Sequence, residues 1–156
     1  MEYHVPVMLN ECLEGLHIRP DGIYVDVTFG GGGHSRAIIQ HLNTKGHLFS
    51  FGQDLDAYEN AKCVPTTPSL IDDPRWSFVH ANFRYLRNFM DYHGVTEIDG
   101  LLADLGVSFH HFDEAERGFS FRFDVPLDMR MNQDAELSAY EVINFYPEKE
   151  LERIIM

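Results

Sequence analysis

Cysteine and positive charge are what this chain has least of. It holds two cysteines, Cys12 and Cys63, and no Cys-x-x-Cys pair, which argues against a disulfide framework and against a thiolate metal site. Lysine and arginine total 12 against 25 aspartates and glutamates, a formal net charge of −13. A protein that coats nucleic acid without sequence preference is normally basic, so that class is excluded. Long hydrophobic runs are missing as well, since no stretch of about 18 uncharged apolar residues exists to span a bilayer. The start, Met-Glu-Tyr-His-Val-Pro, lacks the basic and then apolar segments of a secretory signal. A cytoplasmic protein without a membrane partner is therefore expected. The nine histidines form no His-Glu-x-x-His or Cys/His pattern, and His110 and His111 are adjacent, so no metal site is expected.

What is present suffices for a folded domain. The 156 residues are 44% hydrophobic and 24% charged, a balance that needs neither disulfide nor metal to hold a core. Residues 5–16 read as an amphipathic helix with Met8, Leu9, Cys12, Leu13 and Leu16 on one side. After the turn Pro20-Asp21-Gly22, residues 23–27 form a β-branched, buried strand. A helix is predicted over 34–43, with Ala37, Ile38, Ile39 and Leu42 facing inward. A strand over 47–52 follows, then a helix from about Asp56 that stops before Pro65. The pattern repeats with a strand over 76–80, a helix over 84–93 and a strand over 98–103. This alternation predicts an α/β fold, a doubly wound parallel sheet with strand order 3-2-1-4. The helices from 34 and from 56 are expected on opposite faces.

Beyond residue 105 the alternation stops. Residues 105–134 are rich in phenylalanine with interleaved charge. Two helices close the chain, one opening on the capping box Ser138-x-x-Glu141, the other near Pro147 with Leu151, Ile154 and Ile155. The chain ends at Met156 on an apolar run, which reads as a truncation of a longer protein.

Open parallel sheets bind ligands beyond the carboxyl ends of their strands. There the sequence places Asp26, Thr28 and Gly30-Gly31-Gly32-Gly33 after the first strand, Asp54 after the second, Asn82-Phe83 after the third and Asp104 after the fourth. A glycine-rich turn admits positive φ and a close ligand. Asp54 follows the glycines by the roughly 20 residues typical of an acid that accepts a ribose diol. Gly30 and Gly32 begin a G-x-G-x-x-G pattern, but Ser35 stands at its third glycine. Residues 26–32 fit the methyltransferase form D-x-G-x-G-x-G instead, with Thr28 in place of the first glycine. At this point a nicotinamide-dinucleotide oxidoreductase domain and a non-enzymatic cofactor-binding or dimerising fragment both stay open.

Five strings then occur in order: His4-Val5-Pro6-Val7, residues 26–35 (DVTFGGGGHS), 104–108 (DLGVS), 116–121 (ERGFSF) and 126–131 (PLDMRM). Together they resemble the MraW (RsmH) family, S-adenosyl-L-methionine-dependent methyltransferases acting on the N4 amine of a cytidine in 16S ribosomal RNA of the small subunit. The resemblance covers essentially the whole chain and implies a class I, Rossmann-like methyltransferase fold. It implies that Gly32, Gly33 and His34 form the cofactor loop. By the same resemblance Asp54 holds the ribose, Phe83 lies beside the adenine, Asp104 lies near the cofactor's amino-acid end, and His111 occupies a further contact position. It fixes no catalytic base; Asp104 or the region of Ser108 is the candidate to lie near the attacking amine. Departures are His111 where glutamine is frequent, Gly31 where arginine is common and Gly52 where a bulkier residue is usual.

Family members are about twice as long. Residues 1–107 are thus expected to form the first part of the methyltransferase domain, with about four strands. Residues 108–156 are expected to start a helical substrate-binding insert, with the later strands absent. The phenylalanines of 109–123, with Arg117 and Arg122, either hold a splayed nucleotide or pin the insert. The arginine clusters 75/84/87 and 117/122/130 are either solvated surface or local basic patches. The fragment alone is expected to be inactive, and the free edge of the fourth strand offers a route to a homodimer.

Overall fold

The β-branched run after the first turn forms strand β1, Ile23–Asp26. Strands β2 (His47–Gly52), β3 (Trp76–His80) and β4 (Gly100–Leu102) follow. All pairings are parallel, in the order β3-β2-β1-β4, as the sequence predicts. Tyr24 stands opposite Leu48 on one side and Gly100 on the other, and Leu48 opposite Trp76. This computed structural model describes residues 6–62, 69–107 and 109–156. Residues 1–5, Cys63, Pro65 and Ser108, on which parts of the sequence reading fall, lie outside them. The chain divides into two compact units, Met1–Leu105 and Gly106–Met156.

Helices α1 (Leu9–Leu16), α2 (Gly33–His41), α3 (Leu55–Glu59) and α4 (Leu86–Tyr92) cover the sheet. Period-two alternation sends Tyr24, Leu48 and Trp76 to one face and Val25, Phe49, Phe51 and Val79 to the other. The first face packs on Ile38, Ile39 and Leu42 from α2 and its end, on Cys12, Leu13 and Leu16 of α1, and on Ala57 of α3. The second packs on Leu86, Phe89 and Met90 of α4. The helices near 34 and 56 therefore share a face, contrary to expectation. Handedness is the reason. The chain steps in one direction from β1 to β2 to β3, so two right-handed crossovers fall on the same side. It reverses between β3 and β4, which sends α4 to the other side.

Helix α1 begins at Leu9 rather than residue 5. Met8 adopts a left-handed conformation, φ 50°, at its N-cap, which a helix cannot continue through. Met8 is consequently exposed instead of joining the apolar stripe. Cys12 sits half-buried within that stripe. At the far end of α2, the Arg75 guanidinium donates to the carbonyls of Ile39 and Leu42, at 3.2 and 2.5 Å. Asp73 accepts from Arg75 in turn, so Arg75 is a tie between elements and not part of a basic patch.

The second unit contains α5 (Phe109–Asp113), α6 (Ala139–Phe145) and α7 (Glu148–Ile155). The predicted capping box is present: Ser138 N–H donates to the Glu141 carboxylate at 2.9 Å. Arg117 is only 3% exposed, and it donates to the carbonyls of Arg130 and Met131 at 3.1 and 3.3 Å. Gly118 has φ 70°, and a Cβ there would lie 2.7 Å from the backbone nitrogen of Asp128. The strings ERGFSF and PLDMRM thus lean on one another, backbone against backbone.

Leu48 lies at the centre of the sheet and is fully buried. Truncating it, Leu48→Ala, is expected to lower unfolding free energy by about 2–5 kcal/mol, measured by urea titration with an unchanged slope.

Candidate cofactor site

Because the four strands run parallel, their carboxyl ends share one edge of the sheet. The residues beyond β1 make the glycine loop, in which Gly30 and Gly32 take positive φ, 48° and 76°. Gly32 is the N-cap of α2. Gly33 must be glycine for another reason, since a Cβ would lie 2.2 Å from Cγ of Pro6. The His34 ring is buried, and its Nε2–H donates to the carbonyl of Val7 at 3.0 Å. The imidazole of His34 is thus committed to the N-terminal segment.

Beyond β2, the half-buried Asp54 accepts from Ala57 N–H through its backbone carbonyl at 3.2 Å and so opens α3. Its neighbour Gln53 ties two strand ends together. The Gln53 side-chain oxygen accepts from Asn82 Nδ2 at 3.0 Å, and its carbonyl accepts from His80 Nε2 at 3.0 Å. Asn82 then caps the short turn Phe83–Tyr85 by accepting from Arg84 N–H at 2.9 Å. This turn lifts Phe83 off the core, leaving it 40% exposed. Beyond β4, Asp104 is exposed, and its N–H donates to the Thr28 hydroxyl at 2.8 Å. The structure thus brings Gly32, Gly33, His34, Asp54, Phe83 and Asp104 onto four adjacent strand ends of one unit. His111 lies in the second unit, buried, with its ring edge-on to Phe119 at 5.4 Å.

Below the loop lies a buried network that the sequence reading did not assemble. The Asp26 carboxylate, 0% exposed, accepts from Thr28 N–H at 3.0 Å, Thr28 Oγ1 at 3.3 Å and Ser35 Oγ at 2.6 Å. Ser35 Oγ lies 2.8 Å from Ser50 Oγ, and Trp76 Nε1 donates to Ser50 Oγ at 2.8 Å. Two signals pointed here: Ser35 at the third-glycine position, and Ser50 as the one polar residue between Leu48 and Phe51. Burial pushes the Asp26 carboxyl above the usual carboxylate range, although the Ser35 hydroxyl and the Thr28 N–H pull it down.

Arg84, Arg87 and Arg122 are the exposed members of the arginine clusters. Arg117 is buried, Arg130 pairs with Asp128 at 2.7 Å, and Arg122 pairs with Asp113 at 2.8 Å. Arg84 lies over the Tyr85 ring, 4.8 Å from its centroid. Among the described residues, no group of three His, Cys, Asp or Glu is placed to hold a metal ion. No helix among them is long and apolar enough to cross a membrane.

A doubly wound parallel sheet with a glycine loop and two acids at its carboxyl edge defines a Rossmann-like fold. The sequence pattern of the MraW methylase family matches residues 1–156, and the chain belongs to that family. A protein of Parabacteroides distasonis described as ribosomal RNA small subunit methyltransferase H is 63% identical over 145 residues, 92% of this chain and 45% of that protein. A protein of Christiangramia forsetii with the same description is 54% identical over 154 residues, 99% of this chain and 48% of its own length. The chain thus spans about half the length of the curated relatives it matches. A solved structure described as a putative rRNA-methylase from Clostridium thermocellum overlaps 55% of this chain and 46% of that one. Its identity is 18% and its TM-score 0.45.

The position of Asp26 fixes a pH dependence. Its folded form holds a proton to higher pH than an unfolded carboxyl, which titrates near 3.9. Its contribution to stability is complete below that value and is lost as pH rises through the folded one. Asp26→Asn lacks this loss, so the stability gap between parent and variant should narrow from about pH 4 to about pH 7. Urea titrations at both values test this, and a gap that widens contradicts the sign.

Proposed function

We propose that this chain carries the S-adenosyl-L-methionine-binding part of an enzyme that methylates the N4 amine of a cytidine in 16S ribosomal RNA. One observation carries the reading: a glycine loop, two carboxylates and an exposed aromatic ring stand on four neighbouring parallel strand ends. Membership of the MraW methylase family, with relatives described as ribosomal RNA small subunit methyltransferases, supports it.

The donor set suits that cofactor. The two oxygens of Asp54 accept from a ribose diol. Phe83 presents a flat face to an adenine. The loop of 30–33 offers backbone without side chains, and Asp104 sets a negative charge where an ammonium group would be held. When bound, the cofactor supplies an electrophilic methyl on a sulfonium. The chain's own part is to bind and orient, because transfer needs reacting atoms about 3–3.5 Å apart and in line. Asp104 is also the candidate acceptor near the amine. His34 serves this site through its place in the loop, and the family resemblance gives His111 as a further cofactor contact.

Residues 1–107 are read as the first part of the methyltransferase domain and 108–156 as the start of a substrate-binding insert. There Phe121 is fully exposed and Phe123 is partly so, beside Arg122, and these are the side chains for stacking and phosphate contact. Arg117, buried, cannot serve in that role. Strand β4 ends the sheet on one side, which supports self-association through its edge. A cytoplasmic setting follows from the RNA substrate.

Titration calorimetry with S-adenosylhomocysteine and, in parallel, a nicotinamide dinucleotide should show heat for the first alone. Asp54→Ala should lose roughly 1.5–3 kcal/mol of binding; equal affinity would remove the ribose assignment. Binding of the dinucleotide instead would favour the oxidoreductase reading.

The 156-residue chain alone is expected to bind cofactor without methylating. A placement error of about 1 Å can cost roughly a hundredfold, and the net charge of −13 opposes approach to RNA. Tritium transfer from labelled S-adenosylmethionine to unmodified small subunits tests this, with a full-length relative as control. Turnover within about tenfold of that control would contradict the expectation.

A further inference from the structure

We infer that Ser35, Ser50 and Trp76 are positioning residues for the glycine loop. They form a one-way chain of donors, from the Trp76 indole to the Asp26 carboxylate, that staples the loop's two ends together. The inference rests on the cofactor reading only for the ligand that the loop would serve.

The direction follows from counting protons. Ser35 has one hydroxyl proton, and it points to Asp26 Oδ2 at 2.6 Å. Ser35 therefore accepts from Ser50 across 2.8 Å, and Ser50, its proton spent, accepts from Trp76 Nε1 at 2.8 Å. Trp76 can only donate. No member can reverse, so the chain has one arrangement as long as Asp26 accepts.

Its placement gives it a purpose beyond packing. Asp26 is the last residue of β1, and Ser35 lies in the first turn of α2. Together they close the segment 27–34, which contains four consecutive glycines. Such a segment has the largest backbone freedom available to a chain, so a fixed shape must be imposed from its ends. The other carboxylate oxygen, through Thr28, reaches the backbone of Asp104. One buried group thus sets both the loop and the neighbouring acid. Asp26, Ser35 and Ser50 are each 0% exposed, so their influence on a ligand passes through the loop.

Ser77 supplies the comparison. It shares a hydrogen bond with His47 at 2.9 Å, in the same sheet but with its side chain on the opposite face. The test uses the 156-residue chain as parent and as Ser35→Ala, Ser50→Ala, Trp76→Phe and Ser77→Ala. Amide hydrogen exchange over residues 28–34 is measured without ligand, and affinity for S-adenosylhomocysteine by calorimetry. Loop exchange should rise in the first three variants and affinity should fall about 3- to 10-fold, while Ser77→Ala changes neither, whatever its effect on melting. Should Ser35→Ala fail to fold, Ser50→Ala and Trp76→Phe carry the comparison. Parent-like loop exchange in Ser50→Ala and Trp76→Phe, or an equal rise in Ser77→Ala, overturns the inference. Faster loop exchange in a series whose parent binds no S-adenosylhomocysteine keeps the staple and defeats the cofactor reading instead.

Discussion

A carboxylate with no access to water sits at the end of the central strand, and much of the fold is arranged around it. Burying Asp26 is costly, and the cost is tolerable only because hydrogen bonds replace the lost water. Three donors do so, one from the backbone and two from hydroxyls. They come from Thr28, two residues past β1, and from the first turn of α2. A polar group placed so cannot be satisfied unless strand, loop and helix are all in register. The burial of Asp26 therefore works as a condition on assembly more than as a source of stability.

The same group explains why Thr28 can stand where the methyltransferase glycine pattern has its first glycine. Its hydroxyl donates to Asp26 and accepts the N–H of Asp104, linking the ends of β1 and β4. A glycine would leave that link to water. Gln53 and Asn82 perform a similar service between β2 and β3. The carboxyl edge of the sheet is thus laced pairwise by polar side chains. The residues read as ligand contacts, Asp54, Phe83 and Asp104, are the ones immediately beside these ties.

The sheet and its order were legible because alternation and period-two burial are local properties that a sequence displays directly. Asp54, Phe83 and Asp104 were legible for a related reason, since a strand's last residue announces where its end will be. The shared face of α2 and α3 is not visible in either helix alone, because it depends on both crossovers stepping the same way across the sheet. Met8 was misread because a left-handed residue leaves no mark in an apolar periodicity. Ser35, Ser50 and Trp76 are far apart in sequence and meet only when three elements dock. Arg117 looked like a surface cation because nothing local shows that two carbonyls will close over it.

The only tryptophan of the chain is the one whose indole N–H heads the buried network. Its ring also lies 5.5 Å from Phe29 and 5.9 Å from Phe78, and the residue is buried. Light absorbed at the red edge, beyond the tyrosines, is therefore emitted from a single known place. The colour of that emission reports the polarity beneath the glycine loop, and nature has installed the probe without a label.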